Sequence, residues 1–115
     1  MTNEQADSAF QALHDAQRAA RMLFMDLRDA GDKTGAANAK LRADRLQNEI
    51  DNLINKELSD WQEGAEAVIP ELSAAADAAK QAVGQVEQDV KNAQKVVDAM
   101  KFLDSAITIA MKIIG

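Results

Sequence analysis

The sequence predicts an all-α fold: an antiparallel three-helix bundle with coiled-coil-like packing and a long C-terminal helix. Three observations carry this reading. The 115 residues include one proline and five glycines, too little punctuation for a sheet of many short strands. Alanine, leucine, glutamine, lysine and aspartate fill the chain, and nearly all of it reads as helix former. Apolar residues recur at steps of three and four over most of the length. With 47% apolar residues the composition is globular, and the length suits one domain, 1–115.

The first helix is expected over about 3–30. Thr2 and Gln5 fit a capping box. Ala6, Phe10, Leu13, Ala16, Ala20, Leu23 and Leu27 then form one face, widened by Phe24 and flanked by Met22 and Met25. Gly31 stands where a residue of positive φ closes a helix.

The second helix is expected over about 35–63. Its stripe is Leu41, Leu46, Ile50, Leu53, Ile54, Leu58 and Trp61. Its end is open to three readings: Ser59 with Gln62 could cap a new turn, Gly64 could stop the old one, or the helix could run to Val68, since Ala65 and Val68 continue the stripe. Pro70 is placed at or near the first position of the third helix.

The third helix is expected over about 70–114, because the pattern there is the most regular. Ala76, Ala79, Val83, Val86, Val90, Ala93, Val97, Met100, Asp104, Ile107, Met111 and Ile114 alternate steps of three and four, a heptad seam interrupted only by Asp104. At 1.5 Å per residue, the three helices would run about 42, 45 and 67 Å. The last would then overhang its companions by roughly 15–20 Å. The overhanging part is the most apolar in the chain. Phe102, Leu103, Ile107, Ile109, Met111, Ile113 and Ile114 are therefore the candidate interaction residues. Three resolutions offer themselves: the tail folds back over Met22, Phe24 and Met25, two copies cover each other's ends, or the tail enters a foreign partner or a membrane surface. Asp104 on the seam is read either as facing water at a helix break or as a register and pairing residue, with Arg21 or Arg28 as its partner.

Charge narrows the function classes. The net charge is −6, with 13 acidic and 8 basic side chains in residues 1–70 and 6 and 5 in residues 71–115. No basic stripe suited to phosphates is present, so nucleic acid is not an expected partner. Arg18, Arg21, Arg28, Lys40, Arg42 and Arg45 do gather near the first turn, interleaved with Asp26, Asp29, Asp32 and Asp44. A mesh of helix-surface pairs explains them. The sharper reading is an anion or acidic-partner site.

Catalytic and metal chemistry find little to work with. Cysteine is absent, and the single histidine, His14, has no Glu or Asp at metal-ligand spacing around it. Ser8, Ser59, Ser73 and Ser105 fall at caps or on polar faces, outside any nucleophile motif. A non-enzymatic protein without a cofactor is expected. The polar N-terminus is no Sec signal, and residues 102–115 are too few to span a bilayer. Cytoplasmic residence is the default expectation, although leaderless export leaves no such mark.

Trp61-Gln62-Glu63-Gly64 resembles the turn of the Trp-x-Gly family, small helical hairpins exported by type VII secretion. Two residues rather than one separate Trp from Gly here, and three helices are expected where that family has two. No functional residue is carried over. Trp61 is expected to anchor the turn by packing on Phe10 and Val68. The resulting expectation is an acidic, non-enzymatic interaction or structural module that self-associates as a homo-oligomer or binds a partner helix through its amphipathic C-terminal helix. The alternatives are a membrane-acting helical protein, such as a small pore-former, and a small acidic inhibitor or immunity-type protein.

Overall fold

The computed structural model describes residues 2–61 and 63–114, without the side chain of Ile114. The described residues form four α-helices and one short 3₁₀ turn, with no strand among them. The helices are α1 (Asn3–Asp29), α2 (Lys33–Ile54), α3 (Ala65–Gln88) and α4 (Ala93–Ile114); the 3₁₀ turn is Leu58–Asp60.

The first hairpin turns as its glycine predicts. Thr2 and Gln5 close the capping box of α1. At its other end Gly31 has φ +84°. The Asp32 amide donates to the Leu27 carbonyl at 2.9 Å and the Gly31 amide to the Arg28 carbonyl at 3.0 Å. That pair of bonds is a Schellman motif. Asp32 serves both helices, because its carboxylate also accepts the Gly35 amide at 2.9 Å and so caps α2.

The expected single helix over 70–114 is corrected: it is two helices. The chain breaks over residues 89–92, and α4 folds back along α3. The break has local chemistry. Asp89 leaves helical geometry at φ −149° and ψ 68°. The Asn92 side chain accepts the amides of Gln94 and Lys95 at 3.1 and 3.3 Å, which starts a new helix. A 3.7 Å Lys95–Asp89 contact ties the turn together.

The interruption also resets the helical phase. In α3 the expected seam holds, and Ala76, Ala79, Val83 and Val86 are buried. In α4 the core residues are Ala99, Leu103, Ala106, Ile107, Ala110 and Ile113. Met100, Asp104 and Met111 are thus displaced from the seam by one residue. Val97 and Met111 are exposed.

Two further boundaries differ from expectation. Helix two ends at Ile54 rather than near 63, because the chain turns under the bundle so that Trp61 packs edge-on against Phe10 at 6.1 Å. Leu41 and Ile54, expected on the buried stripe, are exposed; alanines 36, 39 and 43 take that face beside Leu46, Ile50 and Leu53. Helix three begins at Ala65, so Pro70 lies in its second turn instead of its first. The missing amide leaves only the Glu66 carbonyl without its helical donor, and both residues are exposed to water. Gln62, the other half of the expected Ser59 cap, lies outside the described residues.

The two hairpins stack. α1 packs on α2 and α3, and α4 packs on α3 and α2. Side chains fix the directions. Ser8 and Asp15 share a surface depression with Ser73 and Asp77, while Asp26 faces Glu87 further along, so α1 and α3 run parallel. α2 folds back along α1 and α4 along α3, so those two helices also run parallel, and Arg42 on α2 reaches Asp104 on α4, each near mid-helix. The molecule measures 45 × 21 × 18 Å, close to the roughly 40 Å length of α1 itself. Nothing of the described chain overhangs.

Candidate functional site

The expected interaction residues of the last helix divide sharply. Leu103, Ile107 and Ile113 are buried in the chain's own core, and Ile109 is half-buried against it. Phe102 and Met111 remain 40% and 55% exposed. They are nine residues apart, which at 3.6 residues per turn sets them about 180° apart on α4. They therefore do not form one patch. The side chain of Ile114 lies outside the described residues. Asp104 pairs with Arg42 of α2, not with Arg21 or Arg28. Nε and Nη2 of Arg42 donate to its two carboxylate oxygens at 2.9 and 3.0 Å, and Nη1 donates to the Asn38 carbonyl at 3.0 Å. This fork links the two hairpins across the bundle.

A further apolar surface lies on the first hairpin. On α1, Arg21, Phe24, Met25 and Arg28 follow the spacing of one helical stripe, just beside the buried one. On α2, Lys40, Ala43 and Asp44 face them. Alanine at 43, with alanines at 36 and 39 before it, is too short to cover Phe24 and Met25. A groove of about 350 Å³ remains between the two helices, with an apolar floor and a cationic rim. The Arg28 guanidinium sits 5.4 Å from the centre of the Phe24 ring, where the ring's negative face attracts it. Arg28 also touches Asp29 at 3.3 Å, and Lys40 touches Asp44 at 3.3 Å; all four side chains are well exposed. Arg21 makes no ion pair among the described residues. Of the remaining arginines in the expected cluster, Arg42 is committed to Asp104, and Arg18 lies beside exposed His14 in a smaller polar depression.

A second, larger cleft of about 690 Å³ opens at the other end of the bundle. Phe10, Leu53, Ile54, Leu58 and Trp61 line it, with Asn3, Asp7, Lys56, Glu57 and Ser59 also on its walls. Trp61 is buried, and its indole Nε1 has no hydrogen-bond partner among the described residues. Ile54 is 63% exposed beside it.

Charge is divided between these two ends. Cut at mid-length, the Trp61 half (residues 2–17, 46–61, 63–77 and 104–114) carries twelve carboxylates and two lysines. The other half carries eleven cations and seven carboxylates. The formal side-chain charges are therefore −10 and +4, which sum to the −6 of the chain. The groove lies in the cationic half. The sequence pointed to its arginines, but only the helix pairing reveals which of them surround an apolar floor.

Two carboxyl groups are perturbed. Asp26 is held above the ordinary aspartate range by burial first, then by the nearby charges of Glu87 and Asp29, and its Oδ2 is buried without a partner. Burial also raises Glu49, against a hydrogen bond from Asn52 that lowers it. Neither lies in the groove or in the cleft. No group of three or more metal-ligating side chains comes together among the described residues, and none of their helices is long and apolar enough to cross a membrane. Comparison of the chain with protein-family models, with curated proteins and with solved structures finds no match.

Proposed function

We propose that this chain is a non-enzymatic helical interaction module whose α1–α2 groove receives an acidic, apolar segment of a protein partner. The groove carries the reading: a floor of half-buried Phe24 and exposed Met25 framed by Arg21, Arg28 and Lys40, with Asp44 beside Lys40, in a chain whose overall charge is −6. A cationic patch on an acidic protein has to be specified locally, and opposite charge guides encounter and orientation. The floor supplies the apolar area that holds what the charges bring in. The exposed surface of α4 supports the alternative through the C-terminal helix less well, because Phe102 points to the flank opposite Met111, and Val97, on the side of Met111, stands about 21 Å from it along the axis.

The test uses a fluorescein-labelled synthetic peptide of repeated Leu-Glu-Glu-Leu units, titrated with the full chain and followed by fluorescence anisotropy. A peptide of Leu-Lys-Lys-Leu units is the control. The acidic peptide binds, binding weakens steeply with salt, and Arg21→Glu with Arg28→Glu weakens it roughly tenfold or more. Equal affinity for both peptides, or indifference to the double substitution, overturns the reading.

A further inference from the structure

We infer that the groove's occupant is a second copy of this chain, with the Ile54 corner of each molecule in the α1–α2 groove of the other. This rests on the groove as the binding site and names what fills it.

The complement to the groove is present on the molecule itself. Where α2 ends, Ile54 stands 63% exposed, with Asp51 behind it and Glu57 and Asp60 after it. Lys56 is the one cation in that corner. An exposed β-branched apolar side chain among carboxylates matches a floor of Phe24 and Met25 among cations. The corner belongs to the half of charge −10 and the groove to the half of charge +4.

The match cannot be made within one molecule. Ile54 lies ten residues beyond Asp44 on the same rigid helix, about 15 Å away along its axis. Groove against groove sets Arg21, Arg28 and Lys40 against their own copies, and corner against corner brings two acidic halves together. An antiparallel two-fold pair instead joins unlike surfaces twice. Ile54 follows Ala43 by eleven residues, about 20° away around α2, so corner and groove share one face of that helix and each molecule's corner meets the other's groove. The contact therefore closes at a dimer.

The experiment is sedimentation velocity on the full chain across protein concentration, in low salt and in about 1 M salt, where the Debye length falls to about 3 Å. Wild type forms dimers with rising concentration in low salt and returns to 12.4 kDa in high salt. Arg21→Glu with Arg28→Glu disables the groove, and Ile54→Asn with Glu57→Lys disables the corner. Each variant alone is monomeric, and circular dichroism checks that each keeps its helices. Their equimolar mixture forms dimers and nothing larger, because it contains one intact groove facing one intact corner. Wild type that stays monomeric throughout overturns the inference, as does either variant assembling alone or a mixture that does not pair. If wild type stays monomeric while the Leu-Glu-Glu-Leu peptide still binds, the self-contact fails and the groove reading stands. If the peptide does not bind either, both fall.

Discussion

The α1–α2 hairpin and the α3–α4 hairpin reverse the chain by different chemistry. The first uses a glycine of φ +84° and one aspartate that closes one helix and opens the next. The second has no glycine and no proline. It leaves the helix at Asp89 and restarts it on the side chain of Asn92. Backbone strain that only glycine relieves leaves a visible mark in a sequence. A turn made from two polar residues that also occur on helix surfaces leaves almost none. In this chain the second kind of turn decides where the C-terminal third goes, and with it whether an apolar tail is free.

The largest effect comes from the phase that the second turn imposes on α4. Leu103 is fully buried and Met111 is 55% exposed. Leu103→Ala is expected to cost about 2–5 kcal/mol by urea denaturation, and Met111→Ala close to nothing. An uninterrupted heptad seam through residue 111 would reverse that order, since Met111 lies on the seam and Leu103 beside it. A costly Met111→Ala would therefore break the four-helix arrangement.

Much of the fold was legible in the sequence. The all-α class follows from composition, the start and stop of α1 from Thr2, Gln5 and Gly31, and the buried face of α3 from its valines and alanines. The break at 89–92 was not legible, because Val86, Val90 and Ala93 continue the apolar rhythm straight through it. Periodicity records which residues dislike water, and two stacked hairpins satisfy that dislike as well as one long rod. The candidate site was half legible. Arginines 21 and 28 stand out as charges, but the floor between them depends on Ala43 of another helix being short. The C-terminal residues were misplaced for a single reason: a one-residue change of phase exchanges Leu103 for Asp104 at the core.

The two turns can be compared directly by removing the residue each depends on. Gly31→Ala keeps ample space around the new methyl but forces a left-handed backbone on a residue that resists it. The cost expected is about 1–2 kcal/mol. Asn92→Ala removes the side chain that caps α4, at about 1 kcal/mol. If Asn92→Ala is silent while Gly31→Ala is not, the second turn is held by packing of α4 rather than by its cap. Smaller still is the link between the hairpins. Asp104→Ala loses a forked ion pair whose carboxylate is 47% exposed, and solvent screening limits the cost to about 0.2–1 kcal/mol.

The smallest effect separates the hairpins by pH. Asp26 of α1 meets Glu87 of α3 across the interface between the hairpins, and burial with these like charges raises its pKa. A carboxyl whose folded pKa lies above its unfolded one binds more protons in the native state than in the unfolded state over that interval. Its contribution is therefore fully present below the unfolded value and is lost as pH rises through the folded value. Glu49, also raised by burial, acts in the same direction. Asp26→Asn keeps the shape and removes the charge. It is expected to be about as stable as wild type in acid and more stable at neutral pH, by less than any of the preceding losses. Paired urea titrations from pH 4 to 7 measure the difference. A gain that grows with pH means that the folded chain holds the Asp26 charge at a cost, through burial first and through Glu87 and Asp29 second. A difference that stays flat with pH would mean that Asp26 is fully relaxed by solvent.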